Sequence, residues 1–250
     1  MLFWVRLIVL LLPTLVVLAL FVVWPAVRSP LPLERTSPAH QITGPQPDPS
    51  LLPLLVEEAF LKNRLVIAKT DSVALSIDLV DSLLTLDIKG VPVRVCRIER
   101  YKLSGALHRA RRSPRLGDWL TRPFVLQREY GTIAKAPIKK VDAPKDTIEA
   151  EKLANMTPPP DSGDVAFVLD FTRNLTVKVC QSEHLSAAGR WRKRTVEANH
   201  RLKVLLTDMA GLSRRQPPMA PLVVSITIPR ADAKAVYRAL PRRALLAFRL

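Results

Sequence analysis

Two cysteines and four histidines are the residues best equipped for chemistry in this chain. Cys180 is followed by Gln181-Ser182-Glu183-His184, which puts an imidazole four residues after a thiol near the expected end of a strand. A cysteine attacks as a thiolate, and a neighbouring base makes the thiolate. Cys180 is therefore a candidate nucleophile, with His184 or the more distant His200 as its base. A structural reading stands beside it. Cys96 in VRVCRI and Cys180 in VKVCQS each end an apolar strand, where a small buried thiol is common. In an oxidising compartment the two could instead pair as a disulfide. The sequence favours unbridged thiols, because a chain this long can build a core without a covalent staple.

Other chemistry is poorly supplied. Neither cysteine lies in a CxxC pair and no histidine cluster accompanies them, so no metal site is expected. Asp78, Asp81 and Asp87 flank expected strands at turn or solvent-facing positions. Glu57 and Glu58 are adjacent, without the three- or four-residue spacing that would put both on one helix face. The chain has no glycine-rich phosphate loop and no GxSxG elbow, so no cofactor is expected.

Charge is the stronger signal. The 250 residues carry 38 Lys and Arg against 22 Asp and Glu, a formal net charge of +16. The excess falls in blocks: 94–140, 190–203 and 214–250 are basic, whereas 51–93 and 141–189 are net acidic. Arg109, Arg111, Arg112 and Arg115 in one block, and Arg190, Arg192, Lys193 and Arg194 in another, are the candidate anion-binding residues. A field of this sign attracts polyanions. Nucleic acid is disfavoured as a partner, because no helix-turn-helix or RNP-type pattern is present and aromatic residues for base stacking are few.

From Leu7 to Trp24 the chain reads LIVLLLPTLVVLALFVVW, without a charge. At about 1.5 Å per residue a helix over this run would span roughly 27 Å, close to a bilayer's hydrocarbon thickness. Trp4 and Trp24 would sit at the two interfaces, and Arg6 would reach the headgroups. No Ala-x-Ala pattern follows, so an uncleaved signal anchor is expected over residues 1–27, with the remainder on the exported, periplasmic side. Residues 28–50, rich in proline, read as a semi-rigid spacer. Residues 51–250 then form one basic α+β domain.

Within that domain the pattern predicts a helix from Ser50, then a three-strand meander from Val73 through VPVRVCRIER with one buried face. An arginine-rich loop follows at 108–122. PFVLQRE and GTIAKAPI suggest a strand pair turning at Tyr130-Gly131. An excursion is expected from Lys139 to Gly163. DVAFVLDF and NLTVKVCQ form a hairpin turning at Thr172-Arg173-Asn174. A helix follows over 187–212, with Trp191, Ala198, Leu202, Leu205 and Met209 recurring at three- and four-residue steps. The end reads strand, helix, strand. The sum is α+β, mainly antiparallel.

Two segments carry a family resemblance. VALSIDLVDSLLTLDIKGVPVRVCRI resembles the opening hairpin of the L,D-transpeptidase catalytic domain, and SITIPRADAKAVYRALPRRALLAFRL resembles its closing strand–helix–strand. The resemblance implies a β-sandwich in the cell envelope that contacts peptidoglycan. Active members carry a His-Gly pair and a Ser-x-Gly-Cys-x-Arg phrase. Here Lys178 and Val179 precede Cys180, and no histidine is followed by glycine. The resemblance thus implies a non-catalytic relative and assigns no catalytic residue. The expectation is a membrane-anchored binding or scaffolding protein that contacts cell-wall or lipid anions. An active cysteine-dependent enzyme is the alternative.

Overall fold

A computed structural model describes residues 51–113, 115–135, 163–213 and 221–250. The run from Leu7 to Trp24, the proline-rich stretch of 28–50 and the excursion between 139 and 162 lie outside the described residues.

Local turn chemistry starts the sheet. Strand β1 (Ala74–Asp78) pairs antiparallel with β2 (Leu83–Ile88). The Asp78 carboxylate holds the turn between them by accepting from the backbone N–H groups of Val80 and Asp81, at 2.9 and 3.2 Å. Lys89 and Gly90 both take positive φ, the conformation a two-residue hairpin requires, and lead into β3 (Val91–Arg97). A side chain at Gly90 would also collide with Ala68.

The stretch expected as one strand, VPVRVCRIER, divides. Ile98 and Glu99 carry the chain from β3 to β4 (Arg100–Leu103), which pairs with β8 (Leu222–Ile228) on the opposite edge of the sheet. The arginine-rich segment contains two short helices, α2 (Gly105–Ala110) and α3 (Leu116–Leu120), the first capped by Ser104. Strand β5 (Phe124–Gly131) pairs with β9 (Leu245–Arg249) through its first residues and with β6 (Ala166–Phe171) through its last. Between Thr132 and Lys135, the described part of GTIAKAPI beyond Gly131, the chain forms no strand, and the last residues of β5 pair with β6 instead. The hairpin of β6 and β7 (Leu175–Gln181) forms where the sequence places it, around Thr172–Asn174.

The nine strands among the described residues form one mixed sheet, in the order β3-β2-β1-β9-β5-β6-β7-β8-β4. This corrects the expectation of a transpeptidase-like β-sandwich: the strands lie in a single mixed sheet, six of whose eight pairings are antiparallel. The pairs β1–β9 and β7–β8 are parallel. Parallel neighbours need a long crossover, and for β7–β8 it contains the 27-residue helix α4 (Ala187–Ser213). Among the described residues no helix is long and apolar enough to cross a membrane. The α+β class itself holds, with five α-helices among those residues.

The core lies on one face of the strands. Phe167, Leu169 and Phe171 of β6 join Val177 and Val179 of β7 and the alternate residues of β8. Helix α5 (Arg230–Ala239) packs Ala233 and Val236 onto them. At the join of the two sheet halves, Phe124 meets Trp119 and Phe248 edge-on, with centroids 4.8 and 6.5 Å apart. Helix α1 (Leu52–Ala68) covers the reverse face, setting Phe60 and Ile67 against Ala74 and Ala247. Strand β1 is therefore buried along its whole length, not on one face as its alternation suggested. Asp78 and Asp87 are correspondingly buried. Asp78 pairs with Arg249 at 3.0 Å, and Asp87 accepts from Ser76.

A candidate anion-binding cleft under helix α4

Strand pairing builds a polar grid on the outer face of β4, β8, β7 and β6. Arg100 lies opposite Thr227, Thr227 opposite Cys180, and Cys180 opposite Ala166. One step along, Lys102 faces Ser225, Ser225 faces Lys178, and Lys178 faces Val168. Directly paired residues share a face, so the two rows stand side by side under α4. From above, the helix adds Lys193 and Glu197. Together these residues line a cleft of about 290 Å³.

Four cations (Arg100, Lys102, Lys178 and Lys193) therefore share this cleft with one carboxylate, Glu197, and with the hydroxyls of Ser225 and Thr227. Lys193 donates to the Cys180 sulfur at 3.4 Å. Among the described residues, Arg100, Lys102 and Lys178 form no ion pair. Like charges held this close repel one another, and an anion placed between them relieves the repulsion. Hydroxyls beside them can donate to the same ligand.

Helix α4 is seated by polar contacts at its N-terminus and at its middle. Ser186 caps it by accepting from the Gly189 N–H at 3.0 Å. Asp164 accepts from the Ser186 N–H at 2.8 Å and from the Ser186 hydroxyl. The Ser186 hydrogen bond holds the Asp164 carboxyl below its usual range, with burial opposing it and Gln181 and Arg230 assisting. A Cβ at Gly189 would overlap this carboxylate, so the helix closes on it only with glycine there. Two turns beyond Lys193, His200 bonds Asp170 at 2.8 Å, and Asp170 also accepts from Thr176.

The candidate catalytic residues are not brought together. Cys180 is half-buried beneath α4 and His200 is engaged by Asp170 beside Thr176, about 13 Å along β7 from Cys180 at strand spacing. His184 is exposed and lines a separate groove with Ser186 and Arg192. Cys96 and Cys180 are free thiols on opposite faces: Cys96 lies in the core and Cys180 faces α4.

The candidate anion-binding residues divide as well. Arg109, Arg111, Arg112 and Arg115 are exposed in and after α2, tied to the Val223 end of β8 through Ser104. Arg190, Arg192 and Arg194 surround the start of α4, near the Ile228 end, where the Ser182 N–H bonds the Ile228 carbonyl. Lys193 alone of the eight enters the cleft. Arg100, Lys102 and Lys178 were not singled out by the sequence. Their signal is the polar residue at every second position of RYKL, VKVC and SIT. It becomes a site only when β4, β8 and β7 are known to be neighbours.

Compared with protein-family models, with curated proteins and with solved structures, the chain has no significant match in any of the three.

Proposed function

We propose that this is a non-catalytic binding protein of the cell envelope, whose basic domain docks on cell-wall or lipid anions. The observation that carries the proposal is the cleft under α4, where four cations and two hydroxyls face one carboxylate. A ligand group that is anionic and small enough for about 290 Å³ suits it: a carboxylate or phosphate on a larger envelope component. Catalysis by Cys180 is the weaker reading, since its sulfur is met by the Lys193 ammonium and neither candidate imidazole lies beside it.

The resemblance to L,D-transpeptidases is confined to two segments of sequence. The two segments that carry it lie side by side, β1 against β9 in register from Leu75–Leu246 to Asp78–Arg249. The apolar run of residues 7–24 would hold the domain at a membrane, on the exported side.

Sedimentation of the full chain, purified in detergent, with peptidoglycan sacculi and with anionic vesicles tests the proposal. Binding to either at low salt is expected, and it should weaken as salt screens the cleft. At about 1 kcal/mol per cation, the Lys102→Gln/Lys178→Gln double variant should bind roughly thirtyfold more weakly. Failure to bind either material at low salt, or full binding by the double variant, overturns the assignment.

A further inference from the structure

Helix α4 turns its polar side to the protein and its apolar side to water. Gly189 and His200 are buried and Lys193 reaches Cys180, so these positions mark the inward face. Trp191 (69% exposed), Leu202 (56%), Leu205 (46%), Leu206 (56%) and Met209 (65%) lie on the other side. At about 100° per residue, all five project within about 60° of the direction of Trp191. The stripe runs roughly 27 Å along the helix. Large contiguous apolar surfaces of this kind are rare on the exposed face of a monomer and mark contact sites.

The charges beside the stripe identify the partner. Arg190, Arg194 and Arg201 follow one flank and Arg192 stands on the other, all of them exposed. Apolar residues with tryptophan on one face and arginines along the margins describe a helix that lies in the plane of a bilayer interface. The arginine stems can run along the acyl boundary while their guanidinium groups stay among anionic headgroups. A second copy of this face would bring the same arginines against one another, which disfavours self-association.

We infer that the outer face of α4 lies on an anionic lipid bilayer, with Trp191 and the leucines at the headgroup–acyl boundary. This rests on the reading of the domain as one that works at an anionic surface, but it does not require the cleft. The test uses the full chain reconstituted into vesicles of phosphatidylcholine alone and of phosphatidylcholine mixed with phosphatidylglycerol, with brominated acyl chains as the quencher. The difference in emission between wild type and Trp191→Phe isolates Trp191 from Trp4, Trp24 and Trp119. The expected result is severalfold stronger quenching of Trp191 in the mixed vesicles. That quenching should be lost in the Leu202→Glu/Leu206→Glu variant and retained in the Lys102→Gln/Lys178→Gln variant. Water-like, unquenched Trp191 emission in both vesicle types overturns the inference while leaving the cleft reading intact. Shielding of Trp191 that follows protein density in both vesicle types, with cross-linking through Met209→Cys, overturns it in favour of self-association.

Discussion

Cys96 and Cys180 differ in what surrounds the sulfur, and that difference is measurable. Cys96 is fully buried on β3, where burial first and the Asp232 charge second push its thiol up to about 11. Cys180 is half-buried and opens into the cleft. Alkylation of the native protein near neutral pH should label Cys180 and spare Cys96 until denaturant is added. Mass spectrometry of the labelled peptides decides the order, and early labelling of Cys96 would contradict the burial of that one side chain on an otherwise exposed strand. Asp164 gives a second residue-scale expectation. Its carboxyl is held below the unfolded value, so its contribution to stability is present above about pH 4 and is lost as pH falls through the folded value. Melting temperatures of wild type and Asp164→Asn should differ at pH 7 and converge towards pH 3. A constant difference across that range would remove the charge from the explanation.

At the scale of elements, α4 shows where the sequence stops being readable. Its position and its stripe of Trp191, Leu202, Leu205 and Met209 are legible as helical periodicity. The usual inference that the apolar stripe faces inward fails, because the sheet surface beneath is itself polar: Thr176, Lys178, Ser225 and Thr227 stand there. Two variants on this one helix test the orientation. Leu202→Gln, on the outward face, should change stability by less than about 0.5 kcal/mol. His200→Ala should cost about 1–3 kcal/mol, since it leaves Asp170 without one of its two partners in a nearly closed site. Urea unfolding of both variants supplies the comparison, and a buried apolar stripe would give the opposite order. The hairpins were legible for a different reason: Lys89-Gly90 and Thr172-Arg173-Asn174 announce their turns locally, and three of these residues besides Gly90 do take positive φ. Of the four cations in the cleft, only Lys193 was legible. Arg100 and Thr227 are partners that no local pattern connects, and the division of the strand at Ile98-Glu99 that sends Arg100 across the sheet leaves no turn residue in the sequence.

At the scale of the whole molecule, the sheet depends on its last strand. β9 lies between β1 and β5, so it joins the half that contains β1–β3 to the half that contains β6–β8 and β4. Arg249 fastens the join by pairing with Asp78 at 3.0 Å and with Glu57 at 3.4 Å. Phe248 packs on Phe124, whose own strand is shared by both halves. A defect at Phe248 should therefore be felt on either side of the join, not in one half alone. Phe248→Ala is expected to cost about 3–5 kcal/mol, a large share of the stability of an ordinary domain. Hydrogen exchange followed strand by strand gives the measurement, because core amides report the free energy of the opening that exposes them. Protection in β2 and in β7 should fall by the same amount if the nine strands unfold as one unit. Loss confined to β2, with β7 unchanged, would mean that the two halves hold together separately and that β9 only bridges them. Leu75 and Phe248 belong to the same buried cluster as Val177 and Ile226, and a core shared across the join favours the first outcome.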